Sequence, residues 1–240
     1  MPSVDALKIK IFMDGADIEA MRSSVANNPL IKGFTTNPTL MRKAGITDYE
    51  AFARSALAAA GGRPISFEVF SDDFDTMERE ARMIASWGRG IYVKIPITNT
   101  KGESANPLIG KLSADGIALN ITAILTLDQV RGVADSLHPD TPSVVSVFAG
   151  RIADTGVDPV PLMADAVRIL SKRLKAELLW ASPRELLNIL QADDCGCHII
   201  TATPDVLTKL SLVGKDLGAY SLETVKMFHN DAKAAGYKLV

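Results

Sequence analysis

The sequence predicts an α/β protein, a single (β/α)8 TIM barrel followed by one additional C-terminal helix. Three observations carry this expectation. Short apolar runs rich in Ile and Val recur at intervals of about 20 to 35 residues, each followed by a stretch of helical periodicity. Eight such units follow one another without a low-complexity segment, and alternation on this scale implies parallel strands joined by helical crossovers. The length of 240 residues suits one closed barrel, which commonly runs to about 250 residues. A doubly wound open sheet is the alternative. However, no G-x-G-x-x-G leaves the first strand, and Gly88-Arg89-Gly90 precedes a strand.

The first unit pairs a strand over Lys8 to Asp14 with a helix over Asp17 to Ala26. Gly33 to Thr36 precedes a helix around Asp48 to Ala60. Pro64 to Val69 precedes Asp72 to Trp87, where Phe74, Met77, Ala81 and Ile84 form a helical stripe. Ile91 to Pro96 is an apolar run closed by a proline, which cannot continue a central strand, and a polar loop leads on to a helix over Ala105 to Ala114. Ile117 to Ile121 precedes Leu127 to Leu137, and Ser143 to Phe148 precedes Pro159 to Leu174. Glu177 to Ala181 with Arg184 to Gln191, then His198 to Ala202 with Pro204 to Leu212, complete the set. Residues 1–217 are assigned to the barrel. Residues 218–240 form a helical extension, either part of the same domain or an arm for subunit contact. Within it Leu222 to Ala235 is amphipathic, with Leu222, Val225, Met227 and Phe228 apolar, and a helix of about 14 residues needs tertiary or subunit contacts to persist.

Composition narrows the class further. The chain is 47% hydrophobic and 22% charged, enough apolar material for a core, and its net charge of −2 draws it to neither nucleic acid nor an anionic membrane. Met1 to Phe12 has no apolar core of signal-peptide length and no later run could span a bilayer, so a cytoplasmic location is expected. Cys195-Gly196-Cys197 is followed by His198, but His138 and His229 are distant and a metal site needs more ligands. Both cysteines read as free thiols, and neither metal nor organic cofactor is expected.

Barrels of this kind carry their chemistry at the C-terminal ends of the strands. Those ends here supply Asp14, Thr35 with Asn37, Glu68, Lys94, Asn120 with Thr122, Ser146 with Phe148, and Ser182. Side chains alternate along a strand, so Phe12 and Asp14 oppose Ile11 and Met13, and Ser66 and Glu68 oppose Ile65 and Phe67. By the same parity Asn120 and Thr122 share a face, as do Ser146 and Phe148, and Tyr92 and Lys94 oppose Ile91, Val93 and Ile95. The aliphatics would face the helices and the polar groups would converge at one mouth. A lysine aimed into an apolar interior is costly to keep charged, and its free amine attacks carbonyls to form a Schiff base. The competing picture is a lysine whose stem packs while its ammonium reaches water. With a Schiff base on Lys94, Asp14 and Glu68 could serve as acid and base, and Asn37, Asn120 and Ser146 could bind ketose hydroxyls. Arg151 and Arg184 follow the sixth and seventh strands, as a sugar phosphate would require. Taken singly, each arginine could equally be a solvated loop residue or half of a salt bridge.

The sequence resembles the transaldolase family, including the short fructose-6-phosphate aldolases, over nearly its whole length. The motifs that carry the resemblance are Phe12-Met13-Asp14, Thr35-Thr36-Asn37-Pro38-Thr39, Phe67-Glu68-Val69 and Val93-Lys94-Ile95-Pro96. Further on come Gly116 through Thr122, Ser146-Val147-Phe148-Ala149-Gly150-Arg151-Ile152 and Ala181-Ser182-Pro183-Arg184. The resemblance implies a class I aldolase barrel with its Schiff-base lysine at Lys94. Asp14 would be the acid/base at the bond that breaks, and Glu68 with Thr122 would hold a catalytic water. Thr35, Asn37, Asn120 and Ser146 would bind the donor, and Arg151, Ser182 and Arg184 its phosphate. Glu68 and Phe148 resemble the transferases, where the aldolases tend to carry Gln and Tyr. Gly15 and Pro183 depart from the family pattern. The resemblance further implies sugar-phosphate substrates and a homo-oligomer larger than a dimer, with decamers among the short members. A simple aldolase, or a barrel that binds a sugar phosphate without turnover, are the competing functions.

Overall fold

The computed structural model describes residues 3–173 and 175–239; Leu174, the expected end of one helix, lies outside them. Eight parallel strands close into a barrel in sequence order: β1 (Lys10–Asp14), β2 (Ile31–Thr35), β3 (Ile65–Glu68), β4 (Ile91–Pro96), β5 (Leu119–Ile124), β6 (Ser143–Val147), β7 (Ala176–Trp180) and β8 (Ile199–Ala202). The crossovers carry α1 (Ile18–Asn27), α2 (Pro38–Lys43), α3 (Tyr49–Ala60), α4 (Phe74–Ser86), α5 (Asn106–Ala114), α6 (Leu127–Ser136), α7 (Ala149–Asp154), α8 (Pro159–Leu170) and α9 (Leu187–Asp194), and α10 (Pro204–Leu207) follows β8. A 3-10 turn, Thr208–Leu212, leads to α11 (Leu217–Ala234). The predicted barrel with its extra C-terminal helix is therefore the observed fold.

Helix starts are written locally. Asp17, Asp48, Asp73, Asp158 and Asp216 each precede a helix and accept hydrogen bonds from its free backbone N–H groups, and Thr126 and Gln129 form a reciprocal capping box on α6. Several boundaries differ from expectation. The fifth strand begins at Leu119, beyond the expected Ile117, and runs through Thr122 to Ile124. The helix expected from Arg184 begins only at Leu187, and the N–H groups of Arg184 and Glu185 donate to the Asn188 side chain ahead of it. Two six-residue helices, α2 and α7, were not expected at all.

The parity of the strands divides the core in two. Aliphatics and aromatics such as Phe34, Phe67, Val93, Ile95, Ile121, Val145 and Leu178 face the helices and are fully buried. Full burial of each such side chain contributes about 1.5–3 kcal/mol. Inside the barrel lies a smaller cluster of Phe12, Val144, Leu179, Ala181 and Ile199, flanked by Tyr92 and Phe148. Phe12 plugs the interior at Gly33, where a Cβ would stand 2.5 Å from the ring. Only glycine leaves that room. The plug closes the barrel below the polar layer, so the polar groups above it open to one side.

Candidate active site

Register lines up the upper layer. Glu68 on β3 pairs with Lys94 on β4, and Lys94 with Asn120 on β5, so three neighbouring strands present these side chains at one height. They line a cavity of about 490 Å³ at the C-terminal mouth. All twelve expected site residues line it: Asp14, Thr35, Asn37, Glu68, Lys94, Asn120, Thr122, Ser146, Phe148, Arg151, Ser182 and Arg184. A larger groove of about 810 Å³ between α6 and α8 is walled by surface arginines and aspartates such as Arg131, Asp135, Asp165 and Arg168 and has no converging buried groups.

Lys94 is 7% exposed, so water does not solvate its ammonium freely. Its Nζ donates to the backbone oxygen of Thr36 at 2.9 Å and lies 3.1 Å from Glu68 Oε2. Asp14, at the end of β1, accepts a 2.7 Å hydrogen bond from Thr35 Oγ1, which also meets Thr201 Oγ1 at 2.6 Å. Burial pushes the Asp14 carboxyl above the ordinary aspartate value, while Lys94 and the Thr35 hydroxyl pull the other way and lose. Across the cavity Ser146 Oγ donates to Asn120 Oδ1 at 2.6 Å, and Asn120 Nδ2 donates to Ser66 Oγ at 2.9 Å. Thr122 Oγ1 is buried with no hydrogen-bond partner among the described residues. A buried hydroxyl of this kind costs free energy unless something enters to pair with it.

Two residues reach the cavity through unusual backbone. The β5–β6 register shifts between Ile121 and Ile124, and Ala123 there takes φ 62°. Ser182 takes φ 58° just past β7, whose inward parity runs through Leu179 and on to Ala181 after the strand. Parity alone would have turned Ser182 away from the interior. Its left-handed conformation brings it to the cavity at a cost of about 1–3 kcal/mol. Such strain is characteristic of functional sites.

The two arginines differ. Arg184 makes a two-pronged pair with Asp154 at the end of α7, with Nε 2.9 Å from Oδ1 and Nη2 on Oδ2. That pairing holds the Asp154 carboxyl below its usual range. Arg151 has no carboxylate partner among the described residues and lies 5.8 Å from the centre of the Phe148 ring. Asn37 accepts from Leu40 N at 3.0 Å to cap α2, which leaves its amide nitrogen for a ligand. Thr201 is the site residue that the strand-end reading missed. The same period of two, applied to His198 to Ala202, puts Ile199 and Thr201 on the inner face. The cysteines lie elsewhere: the Cys197 thiol is buried and donates to Leu178 and Ile199 backbone oxygens.

Residues 11–239 match the family described as Transaldolase/Fructose-6-phosphate aldolase. The chain is 34% identical over 232 residues to a protein named "Probable transaldolase" from Thermoanaerobacter sp. (strain X514), covering 96% of this chain and 100% of that one. It is also 34% identical over 203 residues to a "Probable transaldolase" from Herpetosiphon aurantiacus, covering 84% of this chain and 87% of that one. Among solved structures, a candidate lyase/mutase from Burkholderia cenocepacia J2315 has a TM-score of 0.60 at 14% identity, covering 92% of this chain and 83% of that one. At that identity the likeness is one of fold alone.

Proposed function

Since the chain belongs to the transaldolase/fructose-6-phosphate aldolase family, we propose that it moves a dihydroxyacetone unit from a ketose phosphate to an aldose phosphate through a Schiff base on Lys94. The observation that carries this is the buried Lys94 amine, 3.1 Å from a carboxylate and in one cavity with a second carboxylate whose proton affinity is raised. Lys94 passes a proton to Glu68 and attacks the donor ketone, giving a carbinolamine. Glu68, acting through a water held against the unpartnered Thr122 hydroxyl, returns the proton to the carbinolamine hydroxyl, which derives from the ketone oxygen and leaves as water as the iminium forms.

Asp14 then takes the proton from the hydroxyl on the far carbon of the bond to be broken, the carbon that becomes the aldehyde. The carbon–carbon bond breaks, its electrons flow into the iminium, and an enamine and a free aldehyde result. The acceptor aldehyde reverses the sequence, with Asp14 returning its proton to the new alkoxide. Burial of Asp14 suits this double duty, because a carboxyl of ordinary acidity would be a poorer proton acceptor, and a raised proton affinity moves the group toward the range where it can both take and return a proton. Asn120 and Ser146 orient the donor hydroxyls, and Arg151 and Ser182 meet its anionic end, with Arg184 held beside them by Asp154.

Transfer is favoured over cleavage because Phe148 brings no hydroxyl to its side of the cavity, so that residue orients no water to protonate the waiting enamine. Incubation with a ketose phosphate tests this directly. Free dihydroxyacetone should form slowly without an acceptor aldehyde, and Phe148→Tyr should raise it. If dihydroxyacetone forms as fast without an acceptor as with one, the enzyme is an aldolase. We further propose a homo-oligomer larger than a dimer, supported by α11, which has no buried residue and exposes Leu222, Val225 and Phe228.

A further inference from the structure

The pairing of β2 with β3 is short. Only Phe34 with Ile65 and Thr35 with Ser66 are in register. Hydrogen bonds step along it by twos: Phe34 N donates to Pro64 O at 2.9 Å, and Thr36 N to Ser66 O at 3.4 Å. The next donor in that series would be residue 38, which would serve Glu68 O. Residue 38 is Pro38, which has no N–H. The acceptor that a parallel ladder would offer Glu68 N is Thr36 O, but that oxygen takes the Lys94 ammonium instead. Glu68 therefore has no strand partner on this side.

A side chain from outside the barrel fills the gap. The hydroxyl of Tyr49, the first residue of α3, accepts from Glu68 N at 2.8 Å and donates to Glu68 O at 3.0 Å. Its ring is seated against Phe67, Phe70 and Trp87, with centroids 6.2, 4.5 and 5.6 Å away. We propose that Tyr49 is a positioning residue: its hydroxyl stands in for the missing strand, holds the backbone that aims Glu68, and leaves the Thr36 carbonyl free for Lys94. The assignment rests on the Schiff-base reading of Lys94 and Glu68 given above. Tyr49 touches no substrate and acts through the two residues that form and hydrolyse the imine.

Tyr49→Phe keeps the ring and removes both bonds. Glu68 N then competes with Lys94 for Thr36 O, and Glu68 O is left unpaired. The rate at which borohydride traps donor on Lys94 in a single turnover should fall about tenfold, the loss expected when buried backbone groups go unpaired. The KM for donor should change less than about twofold, since Tyr49 meets no ligand. The ratio of transferred to released dihydroxyacetone should not move, because that partition is set after the imine has formed. A merely structural tyrosine would lower the melting temperature and leave trapping by the folded protein at the wild-type rate, which would overturn the assignment. If Tyr49→Phe does not fold, Phe70→Ala loosens the same ring from its half-exposed side and should slow trapping two- to threefold. No slowing there would also overturn it. A wild-type protein that traps no donor would instead remove the Schiff-base reading and this assignment with it.

Discussion

Gly150 lies in α7 where the chain after β6 passes the loop after β7. A Cβ at this position would stand 2.6 Å from the carbonyl carbon of Ser182 and closer still to its oxygen. Nonbonded carbons rest at about 3.5–4.0 Å, and the oxygen is closer than the carbon, so Gly150→Ala forces the Ser182 loop back by at least about 1 Å. Ser182 is already held at φ 58°, and the loop carries Arg184 with it. Overpacking of this kind costs about 1–3 kcal/mol of stability. A displacement of about 1 Å at a binding group can cost about 100-fold in rate. The kcat/KM for a phosphorylated donor should therefore fall by roughly two orders of magnitude. Trapping of unphosphorylated dihydroxyacetone on Lys94 should change much less, because Lys94, Glu68 and Asp14 lie on the other side of the mouth. Steady-state kinetics with both donors decide this. An activity within about twofold of wild type on the phosphorylated donor would refute the reasoning, as would equal losses on both donors.

Two further outcomes follow from the geometry. Burial raises the Asp14 carboxyl above its unfolded value of 3.8, so its contribution to stability is full below that value and is lost as pH rises through the folded-state value. Asp14→Asn should therefore raise the melting temperature at pH 7 and lose that advantage below pH about 4, while turnover collapses; a lower melting temperature at pH 7 would contradict it. For α11, Val225→Glu with Phe228→Glu charges an exposed stripe that the isolated chain does not bury. Light scattering should show an assembly larger than a dimer for the native chain and a smaller species for the variant; a monomeric native chain would end the proposal.

Much of this molecule is legible in its sequence, for a physical reason. Strand parity decides which side chains enter the barrel, and a period of two can be read without coordinates, which is how Asp14, Glu68, Lys94, Asn120 and Ser146 were placed on one face. Features that depend on backbone beyond the strands are not readable that way. Ser182 faces the cavity because of a left-handed φ, and Arg184 sits in a loop because α9 starts three residues later than its periodicity suggested. The pairing of Arg184 with Asp154 joins residues 30 apart and leaves no local trace in the sequence. Likewise α2 and α7 are too short to show a hydrophobic period. Thr201 was legible but was not read, since its strand carries no second polar residue on the inner face to announce it.

The central claim is that Lys94 is the nucleophile, and one measurement tests it most directly. The protein is incubated with a ketose phosphate donor, reduced with borohydride, digested, and the modified peptide sequenced by mass spectrometry. The account predicts a single adduct on Lys94, the buried lysine 3.1 Å from Glu68, and none in Lys94→Met. An adduct on any other lysine, or none with a donor that the enzyme demonstrably turns over, would contradict it.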